Sequence, residues 1–192
     1  TDVTAAAMAE YQWGAALHEP VVGYLTVGTG IGLGLLVDGR PLPGPARPEF
    51  GHIRIPHIPQ DLFPGFCQFH GDCLEGLASG PSVALRWGKP GAALPDDHPA
   101  WELEASYLAY ACATLILTLG NPCIVIGGGV GLRKELLERI RIRTTELLAG
   151  YGSTDPEAPK YRIRRAALGE DAGLRGAALL AYHEACSAHA IP

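Results

Sequence analysis

The sequence predicts a layered α/β domain, on two observations. β-rich runs alternate with helix-patterned stretches along the whole chain, and two apolar runs, "TVGTGIGLG" and "NPCIVIGGGVG", contain glycine clusters. Alternation of this kind buries a sheet beneath helices, and glycines at strand ends open the crevice where such sheets take ligands.

The elements follow in chain order. "TDVTAAAMAEYQWGAAL" has an Ala-rich body behind Thr1 and Asp2, both acceptable N-caps, which predicts a helix over 3–17. "VVGYLTVGTGIGLGLLVDGRPL" contains two strands separated by "GTG", the second leading into Asp38-Gly39, a strong hairpin turn signal. A Pro-rich loop, "RPLPGPARP", leads to a short strand around "GHIRI", and residues 56–73 form an irregular stretch. "LEGLASGPSVALRWG" reads as a helix with a glycine interruption, and "PGAALPDDHP" as a loop. A long apolar helix is expected over 99–119, followed by a buried strand in "NPCIVIGGGVG". The amphipathic "LRKELLERIRIRTTELLAG" is a helix closed by Gly150. A strand near 161–167 and a helix near 171–187 complete the chain.

With 192 residues, 47% of them hydrophobic and 18% charged, the chain can bury one large domain or a domain plus a piece of another. A net charge of -5 argues against a broad nucleic-acid surface, which needs clustered Lys and Arg. The one basic cluster, Arg162, Arg164 and Arg165, is mixed with apolar residues and suits the solvent face of a strand. The longest apolar run, "YLAYACATLILTLG", is shorter than a membrane span. Five cysteines is an odd number, and Cys112, Cys123 and Cys186 sit inside apolar segments. That usage predicts buried small hydrophobes in a reducing cytoplasm rather than a secreted disulfide framework.

Three groups of residues carry candidate chemistry. At Gly28, Thr29 and Gly30 the backbone can approach a ligand closely, successive N–H groups can form an anion-binding nest, and Thr29 adds a hydroxyl. An ordinary hairpin turn reads the same way. Gly127, Gly128 and Gly129 are contiguous, so the second cluster is not a dinucleotide GxGxxG, and no "GK[ST]" follows to make it a P-loop. Together the two clusters point to a nucleotide without naming it. Third, Cys67, His70 and Cys73 in "FCQFHGDCLEG" are soft ligands at intervals of three, which suits tetrahedral zinc, with His52 and His57 as candidates for the fourth position. A disulfide between the two cysteines, a redox pair and unrelated loop residues compete with zinc. A site with four protein ligands would be structural, since nothing remains open for water or substrate.

At this point the residues resemble the ROK family of sugar kinases (repressor, open reading frame, kinase), within it the bacterial fructokinase-like branch. "TDVTAAAMAE" is similar to the family's Asn/Thr-Asp segment, "VGTGIG" to its second phosphate motif and "PEFGH" to its ExGH signature. "CQFHGDCLEGLASGP" resembles its zinc motif in the C-x2-H-x2-C form of that branch. "NPCIVIGGGV" and "GEDAGLRGAALLA" look like its nucleotide-side strand and closing helix. Thr4 and Leu33 depart from the pattern, standing where fructokinase-like members commonly have Asn and Gly.

The resemblance implies an actin-like ATPase, ribonuclease H-like fold: a mixed sheet flanked by helices, with a zinc-stabilised loop. It implies ATP-dependent phosphorylation of a hexose, fructose above others, with Asp2 as the general base. Glu49, His52 and Glu75 would bind the sugar. Gly28, Thr29, Gly30, Gly128, Gly129 and Val130 would lie along ATP and its magnesium. His52, Cys67, His70 and Cys73 would hold zinc, leaving His57 as a loop histidine. The family's DxGGT-bearing N-terminal lobe has no counterpart in the 192 residues. Residues 1–170 are therefore expected to be the large lobe, with 171–192 a closing helix that normally packs at the lobe junction. Such a piece alone is expected to show little kinase activity, and the orphan face of its last helix favours a homodimer. The competing reading from another class is the sugar-sensing domain of a ROK repressor.

Overall fold

The computed structural model describes residues 1–42, 47–151 and 162–188. The middle of the Pro-rich loop and the first residue of the strand expected at 161–167 lie outside the described residues.

Five strands form one mixed sheet in the order β3-β2-β1-β4-β5. β1 (Val21–Val27) pairs antiparallel with β2 (Ile31–Val37), which pairs with the short β3 (Arg40–Pro41). On its other edge β1 runs parallel to β4 (Cys123–Gly127), and β4 parallel to β5 (Ile163–Arg165). The expected mixed sheet is thus present, with parallel strands at its centre.

Period-two alternation sorts the side chains of β1 and β4 onto two buried faces. Val22, Tyr24, Cys123 and Val125 face one core, built with α1 (Asp2–Trp13) and α7 (Asp171–Ala188). Leu25, Val27, Ile124 and Ile126 face the other, built with α4 (Ala100–Leu119) and α6 (Leu136–Leu148). α1 and α7 approach so closely that a Cβ on Gly176 would lie 1.8 Å from the Ala5 carbonyl oxygen. The final helix therefore has a partner within the chain. Its uncovered side carries Leu174 and the exposed Cys186, the one lone cysteine not buried as expected.

Several boundaries differ from expectation for visible reasons. α1 stops at Trp13 rather than residue 17 because the buried Glu10 carboxylate reaches forward to the Ala15 N–H. The same carboxylate accepts from the Ala167 and Leu168 N–H groups at 3.1 and 2.8 Å, tying α1 to the loop before α7. The glycine-interrupted helix is two helices, α2 (Leu74–Ala78) and α3 (Gly80–Trp87), broken at Ser79, whose hydroxyl caps α3 through the Ser82 N–H. α6 begins at Leu136, and its closing left-handed residue is Ala149 rather than Gly150. "GHIRI" is not a strand. Phe50–His52 forms a 3-10 turn, and the segment then makes a single bridge, Arg54 to Cys73. Pro48 and Pro56 flank it and supply no N–H for a longer ladder. Of the basic cluster Arg165 is exposed on β5 as expected, while Arg164 on β5 and Arg162 just before it are half-buried and ion-paired to Glu19 at 2.6 and 3.8 Å.

The irregular stretch is anchored by a buried ion pair. Arg86 on α3 meets Asp61 at 3.0 and 3.1 Å, and the Tyr107 hydroxyl of α4 donates to the same carboxylate at 2.7 Å. Burial alone would raise Asp61, but Tyr107, the Phe63 N–H and Arg86 outweigh it and hold the carboxyl below its usual value.

Near this pair, Glu104 on α4 is 1% exposed and neither carboxylate oxygen has a hydrogen-bond partner. Burial pushes its pKa well above the usual carboxylate value, against a smaller opposing pull from Arg86. An acid raised in the native state stabilises the fold below its unfolded pKa and loses that contribution as pH climbs toward the raised value. Glu104→Gln should therefore melt like the wild type at low pH. At pH 8 it should be the more stable, because the amide has no ionisable proton, and the gap should widen by ~1.4 kcal/mol per pH unit between the unfolded and the raised native pKa. Melting curves that stay parallel across pH would contradict this.

Candidate functional site

The turn Gly28–Thr29–Gly30 between β1 and β2 is the hub of the site. Gly28 N–H donates to Gly30 O at 3.0 Å, and Gly28 O accepts from Gly80 N–H at 2.7 Å, fastening the turn to the start of α3. Beside it, β4 delivers the second glycine cluster, continued as the single-turn α5 (Gly128–Gly131). Gly128 has φ +81, and a Cβ there would sit 2.4 Å from the Val27 carbonyl oxygen, so only glycine lets the two clusters meet this closely.

Two cavities flank the turn, and Thr29 lines both. The larger, about 790 Å³, runs from Gly28 and Thr29 past Gly129 and Val130 to an apolar end at Pro90 and Trp101. The other, about 590 Å³, is lined by Thr29, Glu75, His52 and Cys67 together with Phe66 and Phe69. A third, about 200 Å³, lies against the other face of the β1–β4 ends and holds Asp2, Thr26, Gly128 and Glu170. Tyr24 lines it as well, its phenol pushed up to about 12 by burial and by Glu10, so it is present there as a neutral hydroxyl.

Asp2 is the first residue of α1, with Thr1 rather than Asp2 acting as N-cap through the Thr4 N–H at 3.1 Å. One Asp2 oxygen accepts from Val3 N–H at 2.9 Å. Glu75, in the first turn of α2, accepts from Ile31 N–H at 2.9 Å, and a Cβ on Gly30 would lie 2.7 Å from the same oxygen. Glu49 caps the 3-10 turn that carries His52, its carbonyl accepting from His52 N–H at 3.0 Å. The sequence-derived residues thus divide. Gly28, Thr29, Gly129 and Val130 share one cavity, His52, Glu75 and Thr29 a second, and Asp2 and Gly128 a third. Glu49 and Gly30 line none of these three.

His52, Cys67, His70 and Cys73 converge, their ligand atoms all within 4.8 Å of one another. His52 Nδ1 lies 3.7 Å from Cys67 Sγ and 3.6 Å from Cys73 Sγ, and His70 Nδ1 is 3.7 Å from Cys67 Sγ. A tetrahedral ion with Zn–S of ~2.3 Å and Zn–N of ~2.0–2.1 Å sets sulfur and nitrogen ~3.5 Å apart. The donor set and spacing fit zinc. Local backbone shapes the cluster: Cys67 and Gly71 exchange hydrogen bonds at 3.1 and 2.8 Å, and Leu74 N–H donates to Ile53 O at 3.1 Å. Arg54 pairs with Asp72 and donates to His70 O, both at 2.8 Å. His57 stands apart, its ring nitrogens near the Ile58 and Phe63 carbonyls.

Sequence reasoning does not single out Trp101 or Arg133, which close the apolar end of the larger cavity. Arg133 lies over the Trp101 ring at 3.9 Å, donates to the Gly91 and Leu94 carbonyls at 3.0 Å each, and pairs with Asp96. No motif marks them; Trp101 comes from the start of α4 and Arg133 from the link between α5 and α6, far apart in sequence.

Among the described residues no helix is long and apolar enough to cross a membrane. Comparison with known proteins agrees with this architecture. The chain is 43% identical over 189 residues to a fructokinase of Zymomonas mobilis, covering 94% of this chain and 60% of that protein. It spans about 60% of the length of the curated fructokinases it matches. The ROK hexokinase of Thermus thermophilus superposes with a TM-score of 0.74 and 34% identity, over 97% of this chain and 65% of that one. A ROK family glucokinase from Streptomyces griseus, solved with glucose and AMPPNP, superposes with a TM-score of 0.69 and 28% identity, over 94% and 66%. The sequence model of the ROK family matches residues 1–184, and the chain belongs to that family.

Proposed function

We propose that the protein transfers the γ-phosphoryl group of ATP to a hexose, fructose before others, giving fructose 6-phosphate. The observation that carries this reading is the shared wall at Thr29. One cavity, next to the β4 glycines, suits a nucleotide, and the other, next to Glu75 and His52, suits a polyol. Phosphoryl transfer asks mainly that two substrates be held end to end and their charge compensated. Glu49, Glu75 and His52 bind sugar hydroxyls in this reading, since ionised carboxylates accept hydrogen bonds. The Thr29 hydroxyl and the backbone of Gly28, Gly30 and Gly128–Val130 border the nucleotide. Asp2, which borders the third cavity at the β1–β4 ends rather than the Glu75 cavity, is assigned the proton of the attacking hydroxyl by the family resemblance; the hydroxyl oxygen bonds to phosphorus as the bond to ADP breaks. Magnesium, arriving with ATP, neutralises charge on the phosphates. Zinc at His52, Cys67, His70 and Cys73 is structural. The reading also takes residues 1–170 as the large lobe with 171–192 closing it, a homodimer, and a cytoplasmic setting.

The preference for fructose rests on the 43% identical fructokinase. The test is hexose-dependent conversion of ATP to ADP by the protein as its gene encodes it, with fructose, glucose, mannose and N-acetylglucosamine. kcat/KM for fructose is expected to exceed the others by at least ~10-fold, the scale on which pocket contacts discriminate similar substrates. Preference for another hexose would overturn the fructose assignment, and turnover of none would overturn the kinase.

A further inference from the structure

Among the described residues that line the larger cavity, Arg133 is the one with a charged side chain, and its guanidinium is held in a fixed plane. The guanidinium carbon lies 3.9 Å from the centroid of the Trp101 ring. Nη1 donates to Gly91 O at 3.0 Å, and Nη2 donates to Leu94 O at 3.0 Å and pairs with Asp96. Trp101 is itself fixed. It is 2% exposed, its Nε1–H donates to Pro95 O at 2.7 Å, and a Cβ on Gly91 would lie 3.2 Å from its ring. A free arginine side chain is among the most rotamer-rich, so restraints of this number preorganise it: the ordering cost is met on folding, before a ligand arrives.

An arginine in a nucleotide cavity can clamp phosphate with its N–H fork or lie flat against a base. Three observations favour the second role. Three of the five N–H groups are taken by protein acceptors, and Asp96 offsets the charge. Arg133 sits with Trp101 at the apolar end, whereas the backbone N–H groups that suit an anion belong to the glycine clusters. One face of the guanidinium is closed by Trp101, while 19% of the side chain stays exposed and lines the cavity. The opposite face is left for a flat ligand with a π-system, to which a planar and weakly hydrated cation is matched. Pro81, Ala84 and Val130 give the same cavity apolar walls that strengthen such a contact.

We propose that Arg133, held flat on Trp101, is the platform on which the base of the phosphoryl donor stacks, so that it positions the nucleotide through the base and not through the phosphates. This deepens the kinase reading above and rests on its assignment of this cavity to the nucleotide. The test is binding of adenosine, ADP and inorganic tripolyphosphate, measured by calorimetry on the protein as its gene encodes it and on Arg133→Lys and Arg133→Ala. Lysine keeps the charge and the apolar stem and loses the plane, which separates stacking from electrostatics. It can still donate to Asp96 and the turn carbonyls, so it is the deciding variant should alanine lower the melting temperature. Stacking on a base is worth ~5–150-fold in affinity. Both variants are expected to weaken adenosine and ADP by at least ~5-fold and to leave tripolyphosphate within ~2-fold of wild type. In fructose phosphorylation KM for ATP should rise more than kcat falls, with KM for fructose unchanged. Tripolyphosphate weakened as much as ADP would make Arg133 a phosphate clamp, and adenosine affinity kept in Arg133→Lys would make it a point charge. Either result, or adenosine bound by none of the three proteins, would overturn the inference. A wild type that shows the expected binding and phosphorylates no hexose would overturn the kinase reading and leave the base platform.

Discussion

Asp2→Asn is expected to lower kcat by ~10²–10⁴, the range a positioned general base contributes, while KM for the hexose and the melting temperature stay near wild type. The separation follows from where Asp2 sits. Thr1 caps α1, so the helix does not depend on the Asp2 carboxylate, and an Asn oxygen can still accept from the Val3 N–H. Asn keeps the volume and the first-turn position but has no basic oxygen to receive a proton. A capping or packing role would reverse the pattern, lowering stability and sparing turnover. An Asp2→Asn protein with kcat close to wild type removes Asp2 from the chemistry.

Much of the architecture was legible because both faces of the central strands are buried. "YLTV" and "CIVIG" read as strands since every residue must be apolar or small when helices cover both sides, and the structure buries Val22, Tyr24, Leu25 and Val27 alike. The long helix at 99–119 was legible from its uninterrupted apolar run, whereas the glycine interruption read in "LEGLASGPSVALRWG" did not reveal two helices separated at Ser79. "GHIRI" was misread because alternation looks the same in a strand and in a segment that runs across a sheet end. What distinguishes them is the absence of a partner strand, which lies outside the segment itself. The stop of α1 at Trp13 depends on Glu10 bonding to residues more than 150 positions away, and no local pattern encodes that.

The site divides in the same manner. The metal cluster was legible because three ligands lie within one short loop and their spacing alone restricts geometry; the choice of His52 over His57 as the fourth came only from resemblance to a family motif. The nucleotide side was legible as two glycine clusters but not as a pocket. Its walls come from α3, the 90–94 turn, α4 and the residues after α5, and only the fold brings Pro81, Trp101 and Arg133 together. Glu104 was invisible in a different sense. Glu102 and Glu104 look alike in an otherwise apolar helix until the packing of α4 shows that Glu102 faces solvent and Glu104 has none to face.

Removing the metal ligands should have the largest structural consequence. Cys73 is 0% exposed and immediately precedes α2, whose first turn presents Glu75, while His52 closes the 3-10 turn that begins at Glu49. Zinc held by both would join the segments that carry Glu49 and Glu75, the proposed sugar ligands, and reinforce a contact made otherwise by the Arg54–Cys73 bridge, the Leu74 N–H to Ile53 O bond and the Arg54–Asp72 ion pair. Cys73→Ser is expected to abolish stoichiometric zinc, with one ion per chain in the wild type and none in the variant. A loss of ~3–5 kcal/mol, part of the ~10–16 kcal/mol that structural zinc supplies to small zinc-dependent peptides, would lower Tm by about 10 °C at ~2–4 °C per kcal/mol. Chelation of the wild type should reproduce the shift, and the hexose KM should rise more than kcat falls, because the metal orients binding groups and touches no reacting atom. Cys186→Ser is the control, since that thiol is exposed on α7 far along the chain, and it should change neither metal content nor Tm. Unchanged zinc in Cys73→Ser would show that the cluster is not the ligand set. A normal KM after complete metal loss would show that the loop holds Glu49 and Glu75 in place unaided, through the Asp61–Arg86–Tyr107 anchor at its other end.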